Sequence, residues 1–103
     1  MIVVETLAHC EMYYALLDQL PEVKAVIAWD VKEFPPHLRS DSRFYRFDNF
    51  LGFGNNVTDQ QLDAIEAKAR PGQCCALVYT GGATGQPKAV MLSHDNLLSN
   101  MIV

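Results

Sequence analysis

Thr80, Gly81, Gly82, Ala83, Thr84, Gly85 and Lys88 fall within one short stretch, TGGATGQPK, of a 103-residue chain. Glycine lacks a Cβ, so a backbone rich in it can approach a polyphosphate closely. Consecutive amide N–H groups can form an anion-binding concavity, the two threonine hydroxyls add donors, and Lys88 adds a point charge. Residue types at this spacing point to the holding of a phosphate-bearing ligand.

Positioning such a loop requires rigid flanks. The apolar, partly β-branched run Cys74 to Tyr79 predicts a buried strand that breaks at Thr80, and Ala89 to Leu92 predicts a second strand. Strand, loop, strand differs from the common phosphate loops, which place a helix N-terminus against the anion. Counting from Gly81 or Gly82 puts Gln86 or Pro87 where the second Walker glycine would stand, and no Gly-x-Gly-x-x-Gly runs through Gly81, Gly82 and Gly85.

The stretch YTGGATGQPKAVMLSHDN resembles the phosphate-binding signature of the adenylate-forming (AMP-binding) superfamily. That signature usually reads tyrosine, threonine, serine, glycine, threonine, threonine, glycine, any residue, proline, lysine, glycine, valine. Within the superfamily the chain is most similar to the long-chain acyl-CoA synthetases of the bubblegum type, a likeness that takes in RPGQCCALVYT, LPEVKAVI and the Phe47 to Phe50 stretch before a Leu-Gly pair.

Composition bounds the alternatives. The length fits one domain at most, and an apolar half is expected of a soluble globular chain. A net charge of −4 gives no electrostatic footprint for nucleic acid. No apolar run is long enough for a membrane span, and Met1 to Val4 lacks the features of a signal peptide. Cys10, Cys74 and Cys75 are odd in number, without paired metal spacing, and suit a reducing cytosol.

In chain order, Ile2 to Val4 predicts a strand, Leu7 to Leu20 a helix stopped by Pro21, and Val23 to Trp29 a strand covered on both faces of a parallel sheet. Asp30 to Ser42 predicts a loop, Phe44 to Phe47 a short strand, and Asp48 to Leu51 a helical turn closed by Gly52 and Gly54. Thr58 and Gln61 have the spacing of a capping box opening a helix that Pro71-Gly72 stops, and Ser93 predicts the N-cap of a last helix with Asp95 in its first turn. The fold expected is α/β, a partial Rossmann-like, adenylate-forming N-terminal domain with a mixed sheet and a strand-loop-strand phosphate motif. Residues 1–103 would form a central fragment of an AMP-binding domain, with no second domain, because both ends look like continuing elements.

The resemblance implies two half reactions, in which a long-chain fatty acid carboxylate attacks ATP to give an acyl-adenylate and coenzyme A then displaces AMP. ATP, Mg²⁺ and CoA are therefore the cofactors implied, with Thr80, Gly81, Gly82, Ala83, Thr84, Gly85 and Lys88 around the β- and γ-phosphates. No catalytic or metal-ligating residue is assigned to this segment, which is not expected to catalyse the reaction by itself. The setting implied is cytoplasmic, with room for peripheral association of the parent protein with the endoplasmic reticulum membrane.

Three positions depart from the family pattern. Gly81 stands for serine, Ala83 for threonine or serine, and Ala89 for glycine. Each lost hydroxyl that bonded a charged oxygen costs about 1.5–3 kcal/mol, so about two to four decades in binding or rate are lost together. Ala89 adds strain only if that position needs a positive φ.

Every feature also has a plain structural explanation. A small-residue turn between strands is commonly only a hairpin, and Lys88 alone is an ordinary surface lysine. Cys74 and Cys75 are expected to pack on opposite sides of a strand, Met12, Tyr13 and Tyr14 to belong to a helix core, and His94 to a capping region, while His9 lacks the spacing of a ligand. Three readings compete: a slice of a fatty acyl-CoA ligase, a non-catalytic remnant or interaction protein with a degenerate loop, and a small independent nucleotide-binding module.

Overall fold

A computed structural model describes residues 1–102 of the chain. They divide into two compact units, Met1–Val57 and the part from Thr58 onward.

The first unit is a parallel sheet of three strands in the order β1 (Ile2–Val4), β2 (Val26–Ala28) and β3 (Phe44–Arg46). Helix α1 (Leu7–Leu16) opens at Thr6, whose hydroxyl accepts from the His9 amide, and ends in a 3-10 turn, Leu17–Gln19. Central β2 is buried at all three positions. Val26 and Ala28 join Cys10, Leu17, Phe34, Leu38 and Phe44 in the core, while Ile27 lies on the opposite face, as strand alternation requires. The β-branched, unbroken character of this strand is what burial on two faces selects.

Several elements differ from expectation. β2 is shorter than Val23 to Trp29, because the Val23 amide still donates to the Leu20 carbonyl in a turn. The segment expected as a loop holds α2 (Pro36–Ser40), which begins with proline at its first turn, where a missing N–H costs nothing, and buries Leu38 completely. After β3 the chain winds directly into α3 (Phe47–Leu51), which Gly52 caps with its amide donating to the Phe50 carbonyl, and then into a 3-10 turn, Gly52–Asn56, that contains Gly54.

In the second unit, α4 (Asp59–Glu66) carries the expected capping box, with the Gln61 amide donating to the Thr58 hydroxyl and the Thr58 amide to the Gln61 carboxamide. It ends before Pro71, where Lys68 and Ala69 make tighter turns back to Ile65 and Glu66. β4 (Cys74–Tyr79) and β5 (Ala89–Ser93) form an antiparallel hairpin with a register shift between Cys74 and Ala76. Ser93 caps α5 (His94–Met101) through a second capping box with Asn96.

Parallel and antiparallel strands are thus both present, in an α/β arrangement. They occupy two sheets rather than one mixed sheet. The reason is local: β4 and β5 satisfy each other's backbone groups as a hairpin, and β3 is followed by helical turns instead of a pairing strand. Among the described residues, no helix is long and apolar enough to cross a membrane.

Candidate functional site

The loop from Thr80 to Lys88 joins β4 to β5. Its mouth is fastened twice, by the Thr80 amide donating to the Lys88 carbonyl at 2.9 Å and the Lys88 amide donating to the Thr80 hydroxyl oxygen at 3.2 Å. The Thr80 hydroxyl has one lone pair engaged in this clasp and keeps its proton as a donor.

Inside the clasp the Gly85 amide donates to the Gly82 carbonyl at 3.2 Å, making a tight turn. Gly82 has φ +67° and Gly85 φ +151°, conformations that L side chains rarely adopt. A Cβ at Gly82 would lie 2.8 Å from the Gly85 carbonyl oxygen and 3.1 Å from two carbons of the Pro87 ring. Gly81 is different, for a Cβ there would meet nothing within 4 Å. Ala83 and Ala89 have no positive φ, so alanine in the position after Lys88 introduces no backbone strain.

Thr80 to Lys88 together line a hollow of about 440 Å³. The structure therefore gathers all seven residues singled out by type and spacing around one concavity. Gln86 and Pro87 also line it and were not among them. Pro87 shapes the loop through its fixed φ and its ring beside Gly82 and has no N–H or side-chain donor to offer an anion, so its residue type alone does not mark it. The amides of Gly81, Gly82, Ala83, Thr84 and Gln86 make no hydrogen bond among the described residues. Lys88 is exposed and carries the loop's single charge. Open donors, one ammonium and no carboxylate suit a polyanion electrostatically.

The neighbouring residues take other roles than expected. Cys74 and Cys75 are exposed thiols rather than packing residues, because no side chain of this unit is buried among the described residues. Met12 and Tyr14 are exposed; Tyr13 packs against the first unit's core, and the Tyr14 ring lies 6.0 Å from that of core residue Phe44. His94 begins α5 just after its capping serine, and His9 contacts the Thr6 hydroxyl at 3.2 Å as part of the α1 cap. Among the described residues, no group of three or more His, Cys, Asp or Glu side chains could hold a metal ion.

The family model described as "AMP-binding enzyme" matches residues 1–103. The chain is 44% identical over 98 residues to the long-chain-fatty-acid–CoA ligase ACSBG2 of Xenopus laevis, covering 93% of this chain and 12% of that protein. It is 44% identical over 96 residues to the long-chain-fatty-acid–CoA ligase ACSBG1 of Homo sapiens, again with 93% of this chain and 13% of that protein aligned. To the ACSBG2 ligase of Gallus gallus it is 42% identical over 90 residues, 85% of this chain and 11% of that protein. The chain thus spans about an eighth of the length of these relatives. No solved structure matches it.

Proposed function

Because the chain belongs to the AMP-binding enzyme family, we propose that its loop Thr80 to Lys88 holds the β- and γ-phosphates of ATP within a larger ligase that activates long-chain fatty acids. The observation that carries the reading is the pairing of a hollow lined by unbonded amides with a glycine, Gly82, whose backbone no other residue adopts without strain. In the reaction, a carboxylate oxygen bonds to the α-phosphorus as the bond from that phosphorus to the bridging oxygen of pyrophosphate breaks. Negative charge grows on the departing pyrophosphate, and fixed amide donors with Lys88 hold it still and screen it. Coenzyme A thiol then displaces AMP from the acyl-adenylate.

This chain's contribution is binding and orientation alone. The loop's open amides and Lys88 are matched to phosphate oxygens, and among the described residues no group of three or more His, Cys, Asp or Glu side chains could hold magnesium. Residues 1–103 are, on this reading, a central slice of the nucleotide-binding domain of a cytoplasmic acyl-CoA ligase.

A second reading is favoured by Gly81 and Ala83, which lack the hydroxyls usual in the loop: a remnant that keeps the fold and has lost the ligand. One titration separates the two. A non-hydrolysable ATP analogue added to the chain into the millimolar range should give saturable amide shifts confined to Thr80 to Lys88, absent in Lys88→Ala. No saturation, or shifts elsewhere only, would leave the remnant reading standing.

A further inference from the structure

A second cleft, of about 300 Å³, opens at the free edge of β3 in the first unit. Lys32 and Glu33 from the segment after β2, Arg39 of α2, Tyr45 and Arg46 of β3 and Asn49 of α3 stand around it. Its apolar floor includes Phe34 and Phe44, each 8% exposed, with their rings edge to face at 6.2 Å.

The charge is out of keeping with the chain. At a net charge of −4, three of the eight Lys and Arg residues converge here against a single carboxylate, Glu33. That carboxylate is already taken by Arg39 Nη2 at 2.7 Å, which also donates to the Phe34 carbonyl at 3.1 Å. Arg46 makes one long contact, 3.4 Å to exposed Asp48, and its enclosed Nε–H has no acceptor among the described residues. The Lys32 ammonium, the Tyr45 hydroxyl and the Asn49 carboxamide make no hydrogen bond there either. Arg43 is not comparable, since Asp41 occupies its guanidinium with bonds of 2.6–3.2 Å.

Two arginines and a lysine around an aromatic floor, with a single carboxylate among them, favour an anion with several oxygens. A carboxylate offers two oxygens; a phosphate monoester offers three terminal ones and carries close to two charges. We propose that this cleft binds a phosphoryl group, borne either by a small phosphate monoester or by a phosphomonoester lipid headgroup. It shares no lining residue with the loop between β4 and β5.

Trp29 supplies the readout. It is the chain's one tryptophan, its ring tilted 45° against that of Phe47 at 4.4 Å, and Phe47 directly follows Arg46. The 103-residue chain would be titrated with inorganic phosphate, with glycerol 3-phosphate, and with phosphatidylcholine vesicles containing or lacking phosphatidic acid, following Trp29 fluorescence and amide shifts.

A saturable response with shifts at Lys32, Arg39, Tyr45, Arg46 and Asn49, weakening as salt is raised, is the expected result. Arg46→Gln should weaken it about tenfold and exposed Lys32→Gln about threefold. Response to the soluble phosphates identifies a small ligand, and response only to phosphatidic acid vesicles identifies a headgroup. No saturation by any of the three anionic probes overturns the proposal, as does full affinity in both Lys32→Gln and Arg46→Gln. Should Arg46→Gln fail to fold by circular dichroism, Lys32→Gln together with exposed Arg39→Gln decides the matter alone.

Discussion

Gly82→Ala puts a methyl group where the loop has no room for it. The residue sits at φ +67°, a region that costs an L-residue about 1–2 kcal/mol. Its new Cβ would stand 2.8 Å from the Gly85 carbonyl oxygen, so relief of the clash pulls apart the turn in which the Gly85 amide reaches the Gly82 carbonyl. Loss of that bond adds about 0.5–1.5 kcal/mol. Affinity for an ATP analogue should then fall roughly ten- to three-hundredfold, if the shape of the loop is what binds. The hairpin should survive, because the pairs Leu77 with Met91 and Val78 with Val90 lie outside the loop. Gly81→Ala is the control: open space and an ordinary φ predict a change of no more than about threefold. Cross-strand proton contacts and loop amide shifts, read beside the titration, separate loop collapse from unfolding. Equal damage from the two substitutions, or none from Gly82→Ala, would refute the reasoning.

Restoring Gly81→Ser with Ala83→Thr should tighten the ATP analogue by about two to four decades, since both positions have ordinary φ and Gly81 has free space around it; an unchanged binding isotherm would remove the hydroxyl argument. A thiol reagent should modify Cys74 and Cys75 quickly and Cys10 only on unfolding, because Cys10 is fully enclosed and burial raises its pKa, whereas rapid labelling of all three would contradict the core. Acid should selectively weaken the first unit. Hydrogen bonds from Arg43 hold the Asp41 carboxyl below its usual range, so its contribution is complete above the unfolded value of about 3.9 and is lost as pH falls through the lower folded value. Asp41→Asn should flatten that part of the acid unfolding curve, and a superimposable curve would show the pair contributes nothing.

What the chain revealed in advance depended on how local the determining chemistry was. Thr58 with Gln61 and Ser93 each announced a helix start, and both caps are made by side chains three residues from their partners. The runs flanking the glycine loop read as strands, with Ser93 serving at once as the end of β5 and the cap of α5. α2 escaped notice because five residues are too few to show a period, and its proline start resembles a loop. Pairing is a relation between distant segments, so the separation into two sheets had no sequence signature. The second cleft was invisible for the same reason: Lys32, Arg39 and Arg46 have no motif spacing, and the edge position of β3 brings them together. The exposure of Cys74 and Cys75 could not be read either, since apolar alternation reports which side chains share a face and not whether that face is covered.

The uneven placement of buried side chains bears on calorimetry. Every fully enclosed apolar residue described lies in Met1–Val57, and the hydration of newly wetted apolar surface is what sets the heat-capacity step of melting. At about 12–15 cal/mol/K per residue, a melt confined to those 57 residues would give a step near 0.7–0.9 kcal/mol/K, where an evenly packed chain of this size would give about 1.2–1.5. The hairpin and its two helices would add little to that endotherm, so heating reports on the sheet of three parallel strands and stays nearly blind to the glycine loop.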